Sequence, residues 1–374
     1  MLCLFKYVKR FRKTNPKMQD YFRIRFVTML FMPGVLLMDQ KKRNITIVDV
    51  AAKAGVSKTT ISRYLNGKFE FMSNESKAKI TQVIEELAYR PNNLARSLKS
   101  KRSRLIGVIV SDITNPFSAI LLKGIGDCCE RYGYGVMITN TDDNPKKERD
   151  YILSMLDQRV EGIILNTTGK NNEFLQQLAQ SGITIILADR PVDIGIFDVI
   201  RTADREITFT ALRHLKMRGF TRVGFFSEPL ENGTRLRRSQ AYQDAYCEIF
   251  GIEPQVYIID KTNQTNGDLL LEEFRQKNRG ERIAIYTGNG IATLYVVQAM
   301  KRMGISFPAE IGICGFDNWD WTDLVDGGIT VVAQPSYKVG RECVKRMMFR
   351  LHRNHNAAPR RIELPCELVI RNST

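Results

Sequence analysis

Lys58, Thr59, Ser62 and Arg63, with Ser57 just ahead of them, form a run of hydrogen-bonding side chains spaced away from Ile61, Tyr64 and Leu65. On a helix that separation gives one polar and one apolar face. The polar set carries the groups that read base edges: an arginine or lysine can bridge guanine O6 and N7, and a threonine offers a hydroxyl and a methyl to thymine. A merely solvated helix face would use the same residue types, so the surroundings of the run must decide. Bond-breaking chemistry has no comparable set. The sequence holds no GxGxxG fingerprint, P-loop, GxSxG elbow or metal-binding cluster, and His214, His352 and His355 are scattered. His214, in "ALRHLKMRG", reads as a helix-surface residue. No enzyme, cofactor or metal is expected.

The elements around the run favour base reading. In "VDVAAKAGVSKTTISRYLNG", Val48 to Gly67, the residues Ile47, Val50, Ala51 and Ala54 recur at helical spacing behind Thr46 as N-cap. Gly55 supplies a left-handed turn residue and Ser57 can cap the next helix. Two short helices joined by "AGVS" make a helix-turn-helix. A third, from about Ser73, would close the core with Ile80, Val83, Ile84 and Leu87. Pro91 then stops it, and "NNLARSLKSKRSR" is a basic linker with helical potential.

Charge points the same way. Lys and Arg outnumber Asp and Glu by 11 to 2 over residues 1–43 and by 12 to 5 over 44–104, and the two are level at 33 each over 105–374. The whole +16 therefore lies before residue 105. A field confined to one end attracts a polyanion, with nucleic acid ahead of an anionic membrane. Residues 1–43 form an extension whose "FVTMLFMPGVLLM" is broken by Pro33 and Gly34 and is too short to span a bilayer. Met38 is a natural start for the next domain, so residues 1–37 read as a disordered tail or an upstream start, with no membrane role. The seven cysteines show neither zinc spacing nor a secreted disulfide framework, which suits reduced thiols in a cytoplasm. The vicinal Cys128 and Cys129 read as small buried hydrophobes on a helix.

From Leu105 onward, runs such as "LIGVIV", "EGIILN", "ITIILAD" and "IGICGFD" alternate with amphipathic helices. That is the pattern of parallel sheets covered on both faces, and its length suits two α/β lobes, with a ligand cleft at the carboxyl ends of the strands. The domains expected are thus the extension 1–43, a helix-turn-helix domain 44–90, a hinge 91–104 and a two-lobed core 105–374.

In that order the pieces resemble the LacI/GalR family of bacterial transcriptional regulators over residues 44–374. The resemblance rests on "VDVAAKAGVSKTTISRYLNG", "YRPNNLARSLKSKRSRLIGVIVSDITNPF", "RVEGIIL", "ITVVAQP" and "LPCELVIRNST". Within the family, "FEFMSNESK", "ARSLKSKRS" and "TDDNPKKERDYI" are most similar to the branch that represses 2-keto-3-deoxygluconate regulons. The resemblance implies an all-α DNA-binding domain, a periplasmic-binding-protein-like core, and a cytoplasmic, nucleoid-associated homodimer on a near-palindromic operator. No heptad follows the core, which favours a dimer over a tetramer. Lys58, Thr59 and Arg63 would do most of the base reading, helped by Ser57 and Ser62. Asn92, Leu94, Ala95 and Leu98 would form a hinge helix, with Leu98 as a minor-groove wedge.

The effector would be a sugar or sugar acid that releases the operator. Ser111, Asn115, Phe117, Asn166, Asp189, Asn289 and Gln334 would line its cleft, Arg238 would grip hydroxyls or a carboxylate, and Asp317 would accept from hydroxyls. Gly290 stands where the family often has an acid, and Ala241 where it often has a glycine. The lost carboxylate would favour an anionic ligand. Trp319 and Trp321 could stack on a sugar ring or serve packing. Alternatives are a corepressor-dependent or activating regulator and, remotely, a periplasmic sugar-binding protein, which would have no use for Ser57 to Arg63.

Overall fold

The structure is a computed structural model that describes residues 45–70, 72–89, 102–192, 195–260, 263, 265–354 and 357–374. The extension and the hinge positions Asn92, Leu94, Ala95 and Leu98 lie outside the described residues. The chain divides into two compact units between Asn92 and Asn93.

The first unit holds α1 (Ile47–Ala54), α2 (Lys58–Leu65) and α3 (Asn74–Glu86). Thr46 and Asp49 form a capping box on α1, Gly55 ends it at φ 68°, and Ser57 and Ser73 cap the next two helices. Val50, Ala51, Ala54, Ile61, Ile80 and Val83 are buried together, with Ile47, Tyr64, Leu65, Ile84 and Leu87 packed around them. The expected apolar faces are therefore the faces that pack.

The second unit contains two six-stranded sheets. The N-lobe sheet uses β1 (Leu105–Val110), β2 (Gly135–Asn140), β3 (Gly162–Leu165), β4 (Thr184–Ala188) and β5 (Asp198–Thr202), flanked by α4 (Pro116–Arg131), α5 (Pro145–Asp157) and α6 (Asn172–Gln180). The C-lobe follows with α7 (Asp204–Met217), β6 (Arg222–Ser227), α8 (Gly233–Phe250), β7 (Gln255–Ile258), α9 (Asn266–Lys277), β8 (Ile283–Thr287), α10 (Gly290–Met303), β9 (Ile311–Phe316), α11 (Trp321–Leu324) and β10 (Thr330–Ala333). The chain then returns: α12 (Ser336–His352) packs on α4, β11 (Arg361–Leu364) pairs with β5, and β12 (Glu367–Val369) goes back to β10. The orders are β11-β5-β4-β3-β1-β2 and β12-β10-β9-β8-β6-β7. The pairing is parallel as expected, apart from β12, which runs antiparallel on β10. Because β11 is parallel to β5, it ends at the carboxyl side of the N-lobe sheet. The chain therefore enters the C-lobe at the carboxyl ends of its strands and runs against them.

Alternation along the strands feeds two cores per sheet. Ile106, Val108 and Val110 face α4 and α12, and Ile109 joins Ile152, Met155, Leu175 and Leu178 on the opposite face. The α4–α12 contact is backbone-close, because a Cβ on Gly124 would stand 2.2 Å from the Tyr337 carbonyl oxygen and one on Gly340 2.3 Å from that of Leu121. Buried Asp198 ties the returning segments to β5: it pairs with Arg346 at 2.8 Å and accepts from the Arg360 amide at 2.7 Å. Cys128 and Cys129 are buried on α4 as expected, and burial pushes the Cys129 thiol up to about 12. His214 is not a surface residue. It is 7% exposed and its Nε2 lies 2.8 Å from the Thr374 hydroxyl, because the end of the chain folds against α7.

Candidate DNA-reading surface and effector cleft

On α2 the buried residue is Ile61, and Ser57, Lys58, Thr59 and Arg63 are exposed while Ser62 is half-buried. The Ser57 hydroxyl is already engaged, accepting from the Thr60 amide at 3.1 Å. Ser57 thus fixes where the helix begins, and the side chains left free to reach outward are Lys58, Thr59 and Arg63. Tyr64 locks the helix to α3 through a 2.6 Å hydrogen bond with Thr81. The result is an anchored helix offering two cations and a hydroxyl-methyl group on its exposed side.

In the second unit, a small cleft opens at the carboxyl ends of the strands of both lobes. The nine residues that the resemblance assigns to the cleft all line it. Ser111, Asn115, Phe117, Asn166 and Asp189 come from the N-lobe, and Arg238, Asn289, Asp317 and Gln334 from the C-lobe or the crossover. Asp189 follows β4 and Asp317 follows β9, and both hold left-handed backbone, φ 66° and 68°. That conformation is costly for a side-chain-bearing residue, and aspartate is among those that tolerate it. One carboxylate from each lobe thereby lines the cleft.

Most polar groups of the cleft hold one another. Asn115 and Asn289 cap α4 and α10, and Ser111 donates to Asn166, which donates to the Ala188 carbonyl. Arg238, 3% exposed, donates from Nε to Asp204 at 2.9 Å, from Nη1 to the Gly288 carbonyl at 3.1 Å and from Nη2 to Gln334 at 2.6 Å, with its guanidinium 3.8 Å from the centre of the Phe316 ring. Burial alone would raise the Asp204 carboxyl, but Arg238 and Arg237 beside it hold it below its ordinary value. Gln334 passes the chain on, donating to Asp317 at 2.5 Å, while Asp317 also accepts from the Gly290 amide at 3.0 Å. Burial pushes the Asp317 carboxyl up despite these donors. One acceptor is left over: Asp189 Oδ1 is buried without a partner, and Oδ2 accepts from Thr234 at 3.2 Å. A buried orphan acceptor is what an incoming hydroxyl would satisfy.

Residues 103–372 match the family described as "Periplasmic binding proteins and sugar binding domain of LacI family", and residues 46–92 match "Bacterial regulatory proteins, lacI family". The chain belongs to the LacI family. It is 38% identical to the HTH-type transcriptional regulator KdgR of Bacillus subtilis (strain 168), covering 88% of this chain and 97% of that protein. It is 35% identical to the regulator PtxS of Pseudomonas putida, over 89% and 97% respectively. A lac repressor dimer bound to operator and the anti-inducer ONPF superposes with a TM-score of 0.78 at 21% identity, over 88% of this chain and 99% of that one. This LacI-family chain is accordingly a DNA-binding transcriptional regulator with an effector-binding domain, and not an enzyme.

The LacI-family cleft also contains residues that sequence reasoning passed over: Ser118, Arg190, Asn232, Thr234 and Arg235. Arg190 directly follows Asp189, and Asn232 to Arg235 open α8 after β6, so strand-end position was the available signal. Of the two roles open to Trp319 and Trp321, packing is the one observed, and it bears on Gly290 as well. Neither Trp319 nor Trp321 is among the side chains lining the cleft; Trp321 packs on the C-lobe core. A Cβ at Gly290 would stand 2.6 Å from the Trp319 ring and 2.8 Å from Asp317 Oδ2, so packing by itself accounts for the glycine. Among the described residues no group of His, Cys, Asp or Glu could hold a metal, and no helix is long and apolar enough to cross a membrane.

Proposed function

We propose that the effector is a small polyhydroxylated acid, with 2-keto-3-deoxygluconate as first candidate, and that its binding releases the operator. The observation that carries this reading is the cleft's mixed chemistry: the unpartnered Asp189 Oδ1 calls for a hydroxyl, and Arg190, Arg235 and Arg238 make the same small space hospitable to an anion. Ser111, Asn115, Asn166, Asn289 and Gln334 would supply further hydrogen bonds, Phe117 an apolar wall, and Asp317 an acceptor. On the DNA side, Lys58, Thr59 and Arg63 would read base edges, with Ser57 and Ser62 supporting, and the hinge residues Asn92, Leu94, Ala95 and Leu98 would contact DNA, with Leu98 as a minor-groove wedge. The protein would act as a homodimer on the nucleoid, two half-sites per operator. Exposed Ile120 on α4 and Ile138, Val256 and Ile258 on the edge strands β2 and β7 provide apolar surface for a second copy.

A ligand shifts DNA binding only through its differential affinity for the two lobe arrangements. The test is calorimetry of the full chain against sugar acids and neutral sugars, followed by operator binding with the ligand found. Tight binding of a sugar acid that frees the operator supports the reading. Binding of a neutral sugar or a purine in its place overturns it, and strengthening of operator binding by the ligand would make it a corepressor.

A further inference from the structure

The sequence directs attention to Arg238 as the seat of a ligand carboxylate, but that guanidinium is occupied on all three nitrogens by Asp204, Gly288 and Gln334. Arg235 is committed at both terminal nitrogens: Nη2 donates to Glu228 at 2.7 Å and Nη1 to the Pro229 carbonyl at 3.2 Å. Arg190 differs. Its hydrogen bonds, to Asp143 and to the Thr167 carbonyl, both leave from Nη1. Nε and Nη2 therefore have no protein partner among the described residues, although the residue is only 9% exposed and lines the cleft. Those two nitrogens are the side-on edge of the guanidinium, whose parallel N–H groups match the two oxygens of a carboxylate. The contact with Asp143 holds the other end of the fork, so little side-chain freedom remains to be lost on binding.

From this we infer that Arg190 is the residue that selects for an acid, receiving the effector's carboxylate on its Nε–Nη2 edge. The neighbouring Asp189 Oδ1 takes a hydroxyl of the same ligand. The two residues follow β4 consecutively, so a donor edge and an orphan acceptor share one rigid strand end, which suits a molecule carrying carboxylate and hydroxyl groups close together. Arg238 then serves as a positioning residue, holding Gln334 and through it Asp317. The inference rests on the sugar-acid reading above and goes further by assigning the charge recognition to one side chain in the N-lobe.

The experiment is calorimetry of the full-length protein with 2-keto-3-deoxygluconate and with its C1 methyl ester, which removes the charge and keeps the hydroxyls. The wild-type protein is expected to prefer the acid by roughly 10- to 100-fold, the range for a charged hydrogen-bonded contact. In R190Q that preference should vanish while ester affinity changes little. R190K, which keeps the charge without the fork, should fall between them and also covers the case in which R190Q folds poorly. D143N, which keeps the Arg190 charge but removes the contact that holds the fork, should lower the preference less than R190Q does; a D143N protein that loses more than R190Q would place the charge recognition elsewhere and would overturn the inference. An R190Q protein with the full wild-type preference overturns it too, and leaves the sugar-acid reading standing. A wild-type protein that binds acid and ester equally removes both.

Discussion

The Thr234 hydroxyl, in the first turn of α8, lies 3.2 Å from both the carbonyl oxygen and Oδ2 of Asp189 at the end of β4, so this side chain ties the two lobes across the effector cleft. The hydroxyl donates to a carboxylate whose other oxygen is unpartnered. Thr234→Val keeps the volume and removes the donor, and should cost about 1–3 kcal/mol of stability, the penalty for a buried polar group left unsatisfied. Urea unfolding followed by fluorescence measures it; an unchanged midpoint would show that the tie carries no energy. Saturating effector should restore part of the loss, because its hydroxyl supplies a donor to Asp189.

Acid should weaken the protein through His214. Burial, with Arg218 beside it, holds this imidazole below its ordinary 6.5. As pH falls below 6.5 the unfolded chain takes up the proton before the folded one does, so stability falls toward the lower folded value and is fully present above 6.5. His214→Gln should flatten this part of the profile. Denaturation midpoints between about pH 5 and 8, the range in which a histidine titrates, check it, and parallel curves for the two proteins would refute it.

Gly290 and Trp319 should behave as a coupled pair. Gly290→Ala forces its Cβ against the indole and should cost about 1–3 kcal/mol as an overpacked site. Trp319→Leu makes room, so the double variant should lose less than the sum of the single ones. Additive losses would show that the glycine answers to something other than the ring.

On α2, Arg63→Ala or Thr59→Ala should cost about 1–3 kcal/mol of discrimination at particular base pairs. Binding titrations on operator and on single-substituted duplexes separate this from a general loss of charge. Equal weakening on operator and random DNA would assign both residues to the phosphate backbone.

The fold was legible wherever its cause is local. Thr46, Gly55, Ser57 and Ser73 mark helix ends within one turn, and the apolar faces of α1 to α3 are periodic. In the core, continuous strands such as "LIGVIV" announce burial on both faces. Cleft residues were legible through the family resemblance, and Ser111, Asn166, Asp189 and Asp317 also follow strands, where loops line a cleft. What stayed hidden depends on residues distant in sequence. His214 looks like a surface position until Thr374 closes over it, and Gly290 looks like a missing acid until Trp319 is seen against it. Arg238 looks available until Asp204, Gly288 and Gln334 converge on it. Arg190 was passed over because nothing in "LADRP" says which guanidinium edge its neighbours occupy.

The return of α12 and β11 to the N-lobe bears on how the chain is made. Strands β1 to β5 leave the ribosome early, but one of the two helices that cover a face of their sheet and the strand that closes its edge come only after the C-lobe has been synthesised. The basic N-terminal unit, with its own small core, is finished long before either. A polypeptide released prematurely would therefore carry the helix-turn-helix unit without a completed sensor, and nothing in it could answer to an effector.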